Sequence, residues 1–393
     1  MSSHADVGSA RTSVWEPTVA VEESSYLHRG AAAITQVAAA ARTGRPRLID
    51  LFCGAGGAST GFEEAGFEVL AGIDVHRPSI ETFAANHLRS GAVLGDIREV
   101  HPDLIHEATA GQAPDVLAAG VPCQGFSRSN RKRHNGDPRN MLFREFLRFV
   151  EAFRPPVVLL ENVSGLRSAA NGAFVAEICK EIRRFGYRVD VEVLNAADFG
   201  VPQLRQRVFF VGVHAAGQPF AWPAPSHGPG TGKEHRVVWD AIGDLPPLEA
   251  GDEAFAYSTG PANDYQSHLR RGRKWLLNHR APSHPIEVQR KIAATAPGSP
   301  IYPRFKQRIR LAWDRPSPTQ LAGGIRAQYQ FGHPDQARGL TIRERCRMQS
   351  FPDSYEIHGG LVQGRVQTGN AIPSMLAQAI ATAIRDRAAA LAA

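Results

Sequence analysis

Short apolar runs recur along the first half of the chain, each ending on a glycine, an acid or a proline. Leu48-Ile49-Asp50-Leu51-Phe52, Val69-Leu70-Ala71-Gly72-Ile73, Val93-Leu94, Asp115-Val116-Leu117-Ala118 and Val157-Val158-Leu159-Leu160 are of this kind. Their near-continuous apolar character predicts strands covered on both faces. Ser59–Ala65, Met141–Phe153 and Asn171–Phe185 between them read as helices, and Val189–Leu194 reads as a further strand. Alternation of this sort predicts an α/β fold with a mostly parallel, doubly wound sheet. The rhythm stops at a proline- and glycine-rich stretch, Pro219 to Pro229, and is absent to about Arg315. It returns at Leu340–Gln349, where Thr341 and Glu344 have capping-box spacing ahead of an amphipathic helix, and ends with a helix running to Ala390. Residues 1–45 show no strong period, so they are expected to be a flexible extension, with Ala31 to Ala41 as a possible short helix. The expected division is therefore an extension (1–45), the first part of a catalytic and cofactor domain (46–213), a smaller irregular domain (214–329) and a closing C-terminal part (330–393).

Charge refines this division. The 393 residues carry 45 Lys and Arg against 38 Asp and Glu, a net charge of +7. From Tyr265 to Arg310 there are 11 Lys and Arg against one acid, Glu287, so the surplus belongs to one segment. Tyr257, Tyr265, Trp275, Tyr302 and Trp313 are interleaved with it, which suggests a surface that tracks nucleic-acid phosphates. The cysteines, Cys53, Cys123, Cys179 and Cys346, form no Cys-x-x-Cys pair, and neither a disulfide framework nor a structural zinc site is expected. No apolar run approaches a membrane span and the first residues lack a secretory signal, so a cytoplasmic setting is expected.

Candidate chemistry gathers where the apolar runs end. Cys53-Gly54-Ala55-Gly56-Gly57 is a glycine-rich turn before a helix, which lets backbone approach a ligand closely. Position 59 is Ser, so the third glycine of the dinucleotide fingerprint is missing and an NAD enzyme is disfavoured. Asp74 ends the second run and suits two ribose hydroxyls. Asp96 ends the third, and as lone acids both could be mere caps. Cys123 follows Pro122 on the turn after the fourth run; alone it could be a buried structural thiol. Between Arg128 and Arg139 lie five basic residues and one acid, a loop suited to closing over a phosphate backbone. Glu161, with Asn162 and Val163, ends the fifth run, where burial should raise a carboxyl pKa. Gln203, Arg205 and Arg207 alternate along a predicted strand, opposite Leu204 and Val208, and so are expected to share one face.

Taken in order, these segments resemble the DNA (cytosine-5)-methyltransferases. Pro122-Cys123-Gln124-Gly125-Phe126-Ser127 is similar to their nucleophile loop, and Phe52-x-Gly54-x-Gly56-Gly57 to their S-adenosylmethionine loop. Glu161-Asn162-Val163, Gln203-x-Arg205-x-Arg207, Arg315-Pro316-Ser317-Pro318-Thr319 and Gln367-Thr368-Gly369-Asn370 follow in family order. The chain departs from the family's usual pattern at Asp74, often Glu, at Val121, often Pro, and at Ile372-Pro373-Ser374, often Val-Pro-Pro. The resemblance implies a Rossmann-like class I methyltransferase fold whose irregular middle domain recognises the target site. It implies Cys123 as the nucleophile on carbon 6 of a flipped cytosine, Glu161 at ring N3, and Arg207 with Arg205 at the cytosine O2. It implies cofactor contacts at Phe52, Cys53, Gly54, Ala55, Gly57, Asp74, Val75, Asp96, Ile97, Pro122, Asn370 and Ile372. DNA contacts are implied at Gln124, Ser127, Arg128, Asn162 and Gln203. S-adenosyl-L-methionine, leaving as S-adenosyl-L-homocysteine, is the implied cofactor, with no metal. Double-stranded DNA is the implied substrate, a cognate restriction endonuclease acting on the same site the implied partner, and a monomer the expected state. A tRNA methyltransferase of the same superfamily and a non-catalytic DNA-binding repressor are the competing readings. The large middle domain favours DNA over tRNA, and the intact Cys123, Glu161 and Arg207 speak against a repressor alone.

Overall fold

In the computed structural model, which describes residues 27–29, 32–38, 44–122, 141–167, 172–214, 219–323 and 331–392, the apolar runs form strands that bury both faces. They are β1 (Leu27–Arg29), β2 (Ala32–Gln36), β3 (Arg47–Leu51), β4 (Glu68–Asp74), β5 (Gly91–Leu94), β6 (Val116–Gly120), β7 (Val157–Val163), β8 (Tyr187–Asn195), the short β9 (Gln203–Leu204) and β10 (Gln206–His214). All but β9 join one sheet in the order β1-β2-β5-β4-β3-β6-β7-β10-β8. The five central strands, β5 to β7 in that order, run parallel, while β10 is antiparallel to both of its neighbours. Successive residues of a strand enter opposite layers. Val158, Leu160 and Phe210 pack with Ile49 and Leu117, whereas Val157, Leu159 and Phe209 pack with Leu48 and Val116.

Helices cover both layers. Of α1 (Gly57–Glu64), α2 (Arg77–Asn86), α3 (Pro102–Ala108), α4 (Met141–Phe153) and α5 (Ala173–Arg183), the first two supply Phe62, Ile80 and Phe83 to one core. The other three supply Leu104, Phe146, Phe149, Ile178 and Ile182 to the opposite one. The parallel strands progress outward from β3 in one direction and from β6 in the other, so these two neighbours form the switch point where open α/β sheets bind ligands.

The short helix expected within Ala31 to Ala41 is not formed by its described residues, 32–38. Ala32–Gln36 is β2, antiparallel to β5, and β1 and β2 thus extend the sheet where a flexible extension was expected. Ile34 and Thr35 favour an extended backbone, and Ile34 is buried in the same core as Leu104 and Ile105.

Beyond β10 come α6 (Val238–Ile242), α7 (Asp264–Arg270), α8 (Ile286–Ala294), β11 (Ile309–Arg310), β12 (Ser317–Pro318) and β13 (Phe331–Gly332), then α9 (Ile342–Met348), α10 (Leu361–Asn370) and α11 (Ser374–Ala392). The expected boundary near 329 falls within a shared core, in which Val238, Tyr265, Leu269 and Leu311 pack with Leu340 and Met348. Thr341 caps α9 as expected, its hydroxyl accepting from Glu344 N at 3.1 Å while the Glu344 carboxylate accepts from Thr341 N at 2.7 Å.

The helix is not amphipathic, because every one of its residues is buried, Arg343, Arg345 and Arg347 included. Residues two apart on a helix point about 200° apart while residues four apart share a face, so Arg345 reaches one side of the helix and Arg343 and Arg347 the other, where both approach Asp353. Arg343 donates to the carbonyls of Leu277, Pro352 and Tyr355, and Arg345 to Thr368 Oγ1 and the Leu321 carbonyl. Arg347 clamps Asp353 at 2.9 and 2.6 Å and Asp244 at 2.5 Å.

The basic middle segment is also less free than its composition suggests. Arg270 is spent on Asp244 and the Thr259 carbonyl, and Arg310 on the carbonyls of Ala293 and Thr295. Tyr265 is core and donates to the Arg347 carbonyl, Tyr257 binds Asp353, and Trp313 donates to Asp335. Of the five interleaved aromatic residues only Trp275, 69% accessible, stands exposed. Among the described residues no helix is long and apolar enough to cross a membrane.

The Arg347 clamp sets a stability prediction. Asp353→Ala leaves a buried guanidinium half-paired and should cost about 3–5 kcal/mol in urea unfolding. Glu181→Ala, which removes the partner of the exposed Arg184, should cost less than about 1 kcal/mol.

Candidate active site

Five parallel strands bring their carboxyl ends to one edge, and the chemistry lies there. After β3 the chain turns at Phe52, a non-glycine residue with φ of 59°, strained backbone of the kind held in place by its surroundings. The turn delivers Gly54 to the end of β4, where Gly54 N donates to Asp74 Oδ2 at 2.9 Å and His76 N donates to Oδ1 at 2.8 Å. Burial pushes Asp74 above the usual carboxylate range, and these two N–H groups oppose the shift. Each oxygen keeps accepting capacity for a further hydroxyl.

Beside Asp74 opens a cavity of about 300 Å³, lined by Phe52, Val75, Asp96, Ile97 and Pro122 among the expected cofactor residues. Ile73, Gly95, Arg98 and Leu142 line it too and were not anticipated. Leu142 is the second residue of α4, the helix that follows Cys123 along the chain, a position its sequence context could have suggested. Arg98 grips Asp96 with Nε at 2.9 Å and a second, closer Nη2 contact, and this pairing holds the Asp96 carboxyl low. An acid with free lone pairs facing apolar walls suits a ribose and a flat heterocycle, so the donor set fits an adenosyl cofactor. Cys53, Ala55 and Gly57 do not line the cavity. Cys53 and Ala55 are buried, and a side chain at Gly57 would strike the Ile372 carbonyl, 2.4 Å from its Cβ position. Ile372 thus sits on the loop, as expected of the closing segment.

On the other side of β6 stands Glu161, paired across the ladder with Gly120. Its Oε1 lies 3.0 Å from Arg207 Nε. Burial raises the Glu161 pKa, against the pull of Arg207 and Arg205. Asn162, expected at DNA, is buried; its Nδ2 donates to the Val121 carbonyl at 3.3 Å and its Oδ1 accepts from Val163 N at 2.8 Å. It therefore braces the strand end that leads into Pro122. Cys123, Gln124, Ser127 and Arg128 lie outside the described residues.

Burial alternates from Gln203 to Arg207, with Gln203, Arg205 and Arg207 turned inward and Leu204 and Gln206 exposed. Leu204 is 48% accessible while Val208 is fully buried, because β10 enters the doubly covered sheet, where Val208 and Phe209 belong to opposite cores. Gln203, expected at DNA, is instead wholly buried. It donates to the Met348 carbonyl at 2.9 Å and to Gln349 Oε1 at 3.0 Å, and accepts from Gln320 N at 2.7 Å. Arg205 is buried as well and donates to the carbonyls of Gln320 at 3.3 Å and Asn370 at 3.4 Å. Among the described residues its Nε has no hydrogen-bond partner, and burial drives its pKa well down. Arg207 makes the ion pair with Glu161, and Arg205 acts on the same carboxyl electrostatically. Asn370 meets Arg205 through its carbonyl and does not line the cavity.

Residues 46–386 match the family described as C-5 cytosine-specific DNA methylase. The chain is 36% identical over 348 residues to the Type II methyltransferase M1.HphI of Haemophilus parahaemolyticus, covering 86% of each chain. It is 35% identical to the Type II methyltransferase M.DdeI of Desulfomicrobium norvegicum, covering 86% of this chain and 88% of that one. Among solved structures, an Escherichia coli prophage protein assigned as a DNA modification methyltransferase superposes with a TM-score of 0.73 at 24% identity, over 87% of this chain and 99% of that one. The Dnmt2 methyltransferase of S. pombe gives 0.53 at 18% identity, over 88% and 99%.

Asp50 lies fully buried under the glycine loop and accepts from Ser59 Oγ at 2.7 Å. Burial pushes its pKa from 3.8 to about 7. Its contribution to stability is thus complete below the unfolded value and is lost as pH rises through the folded one. Asp50→Asn keeps an acceptor for Ser59 without the charge, so the melting temperature of the variant minus that of wild type should increase from pH 5 to pH 7.5.

Proposed function

The chain belongs to the C-5 cytosine-specific DNA methylase family, and from this premise we propose that it methylates carbon 5 of a cytosine flipped out of a specific double-stranded DNA site. One observation carries the reading: a cofactor-shaped cavity and a buried Glu161–Arg207 pair flank the strand that runs into Pro122-Cys123. When bound in that cavity, S-adenosylmethionine supplies an electrophilic methyl group. Asp74 would hold the ribose, Val75, Ile97 and Phe52 would flank the adenine, and Asp96 would accept from its amino group.

The chemistry follows from what each side chain can do. Cytosine carbon 5 is a weak nucleophile until the ring loses its aromaticity. The Cys123 thiolate adds to carbon 6, the carbon 5–carbon 6 π pair moves into the ring, and negative charge spreads toward N3 and O2. Glu161, with a pKa raised by burial, can hold a proton and pass it to N3. Arg207 offers its remaining guanidinium N–H groups to O2 and keeps the Glu161 carboxyl facing the ring. Once carbon 5 has gained the methyl group, N3 returns its proton to Glu161, a base takes the carbon 5 proton, the sulfur–carbon 6 bond breaks, and aromaticity returns. Asn162 would keep the Val121 carbonyl, and hence the cysteine turn, in register with Glu161.

Residues 214–329 would read the site, with the exposed Arg273, Lys274, Arg280, Arg304 and Lys306 on phosphates. The Type II names of the relatives support a modification enzyme; it would act as a monomer and protect DNA from a cognate nuclease.

Transfer of labelled methyl from S-adenosylmethionine to unmethylated duplex DNA and to tRNA tests this. Duplex DNA should acquire 5-methylcytosine, Cys123→Ala should abolish the signal, and Glu161→Gln should lower turnover by about 10²–10⁴-fold. Label in tRNA alone would refute the substrate.

A further inference from the structure

The glycine loop rests on a buried pair of side chains from distant parts of the chain. Tyr355, four residues after the Phe351 that packs beneath Ala55, donates its hydroxyl to the Ala55 carbonyl at 2.5 Å. His87, which follows α2, approaches the same hydroxyl with Nε2 at 2.9 Å. The loop has no room for anything between: a Cβ at Gly56 would lie 2.5 Å from both His87 Nε2 and the Tyr355 oxygen.

Donor counting fixes the direction of this chain of hydrogen bonds. A carbonyl only accepts, so the one tyrosine proton points to Ala55, and the tyrosine oxygen must accept from His87. Nε2 therefore carries a proton. Nδ1, on the other edge of the ring, lies 3.0 Å from Glu63 Oε1 of α1, off the line of a hydrogen bond but within ion-pair range. Asp50 of β3 also acts electrostatically on His87, and Phe83 stacks against the ring at 4.5 Å between centroids. The imidazole is thus held on three sides.

The consequence falls on a single peptide. The N–H of Gly56 donates to the Cys53 carbonyl at 2.9 Å, and the carbonyl of Ala55 belongs to the same peptide unit. Tyr355 holds one end of that plane and Cys53 the other. Gly54 and Gly56, with φ of 54° and 80°, leave the backbone around it conformationally free. We propose that His87 and Tyr355 are positioning residues that hold the glycine loop in its cofactor-accepting shape through the Ala55 carbonyl, without touching the cofactor. This rests on the reading of the loop as the site for S-adenosylmethionine.

Calorimetric titration of S-adenosylhomocysteine into the full-length protein tests the proposal, with melting temperatures as the check on folding. Tyr355→Phe removes one oxygen and leaves the Ala55 carbonyl buried without a donor. It should weaken binding about five- to thirtyfold and raise KM for S-adenosylmethionine alike, with kcat at saturation nearly unchanged. His87→Ala should behave similarly, whereas His87→Gln, which keeps an N–H for the tyrosine oxygen, should recover most of the affinity. Wild-type binding retained in Tyr355→Phe, or equal losses in His87→Gln and His87→Ala, would overturn the proposal alone. Failure of the wild-type protein to bind S-adenosylhomocysteine would overturn the cofactor reading and the proposal with it. If His87→Ala does not fold, the comparison of Tyr355→Phe with wild type still decides.

Discussion

A guanidinium group has five donors and no acceptor, and this chain buries several of them in one short helix. Arg343, Arg345 and Arg347 of α9 and the neighbouring Arg338 are all buried. Charges removed from water at this depth are tolerated only when their hydrogen bonds are met. The partners that meet them come from every part of the second half of the chain. Arg338 takes Glu344, Arg343 the carbonyls beside Leu277 and Tyr355, Arg345 the ends of the 320s segment and α10, and Arg347 the pair Asp244 and Asp353. The position of the middle segment against the sheet follows from this requirement. So does the position of Gln320 and Asn370, whose carbonyls receive Arg205 behind the catalytic pair.

The sheet edge shows how one architecture sets several acids apart. Asp50, Asp74 and Glu161 stand at or near the ends of parallel strands of one sheet, and burial raises the pKa of each. Their companions differ. Asp50 has a hydroxyl, Asp74 two backbone N–H groups that leave lone pairs outward, and Glu161 a guanidinium. Backbone donors suit a carboxylate meant to accept from hydroxyls. A cation beside an acid of raised pKa suits a site where negative charge grows on a substrate and a proton must be at hand. Asp96 is the counter-case, half open and held low by Arg98, which takes up part of its accepting capacity.

Periodicity and residue type by themselves determined the parallel strands and most of their helices, because a run such as Val157–Leu160 has no stable place except between two apolar layers. They determined as well which strand ends carry chemistry, since a glycine turn, Asp74, Asp96, Glu161 and Cys123 all interrupt apolar runs. The α9 cap was legible because a capping box is a contact between near neighbours. The destination of long polar side chains was not. Arginines read from sequence as solvated or phosphate-seeking, yet Arg270, Arg310 and the α9 arginines turn inward to acids and carbonyls far along the chain. Nothing local distinguishes the two fates. Alternation at Gln203–Arg207 told which side chains turn inward but not what they meet there, and β2 was missed because its alanines fit a helix until β5 offers an edge to pair with. The meeting of His87 with Tyr355, 268 residues apart, had no sequence signal at all. Local spacing decides what a backbone segment does, while only the tertiary structure decides which partner satisfies a buried polar group, because that partner is set by proximity in space and not along the chain.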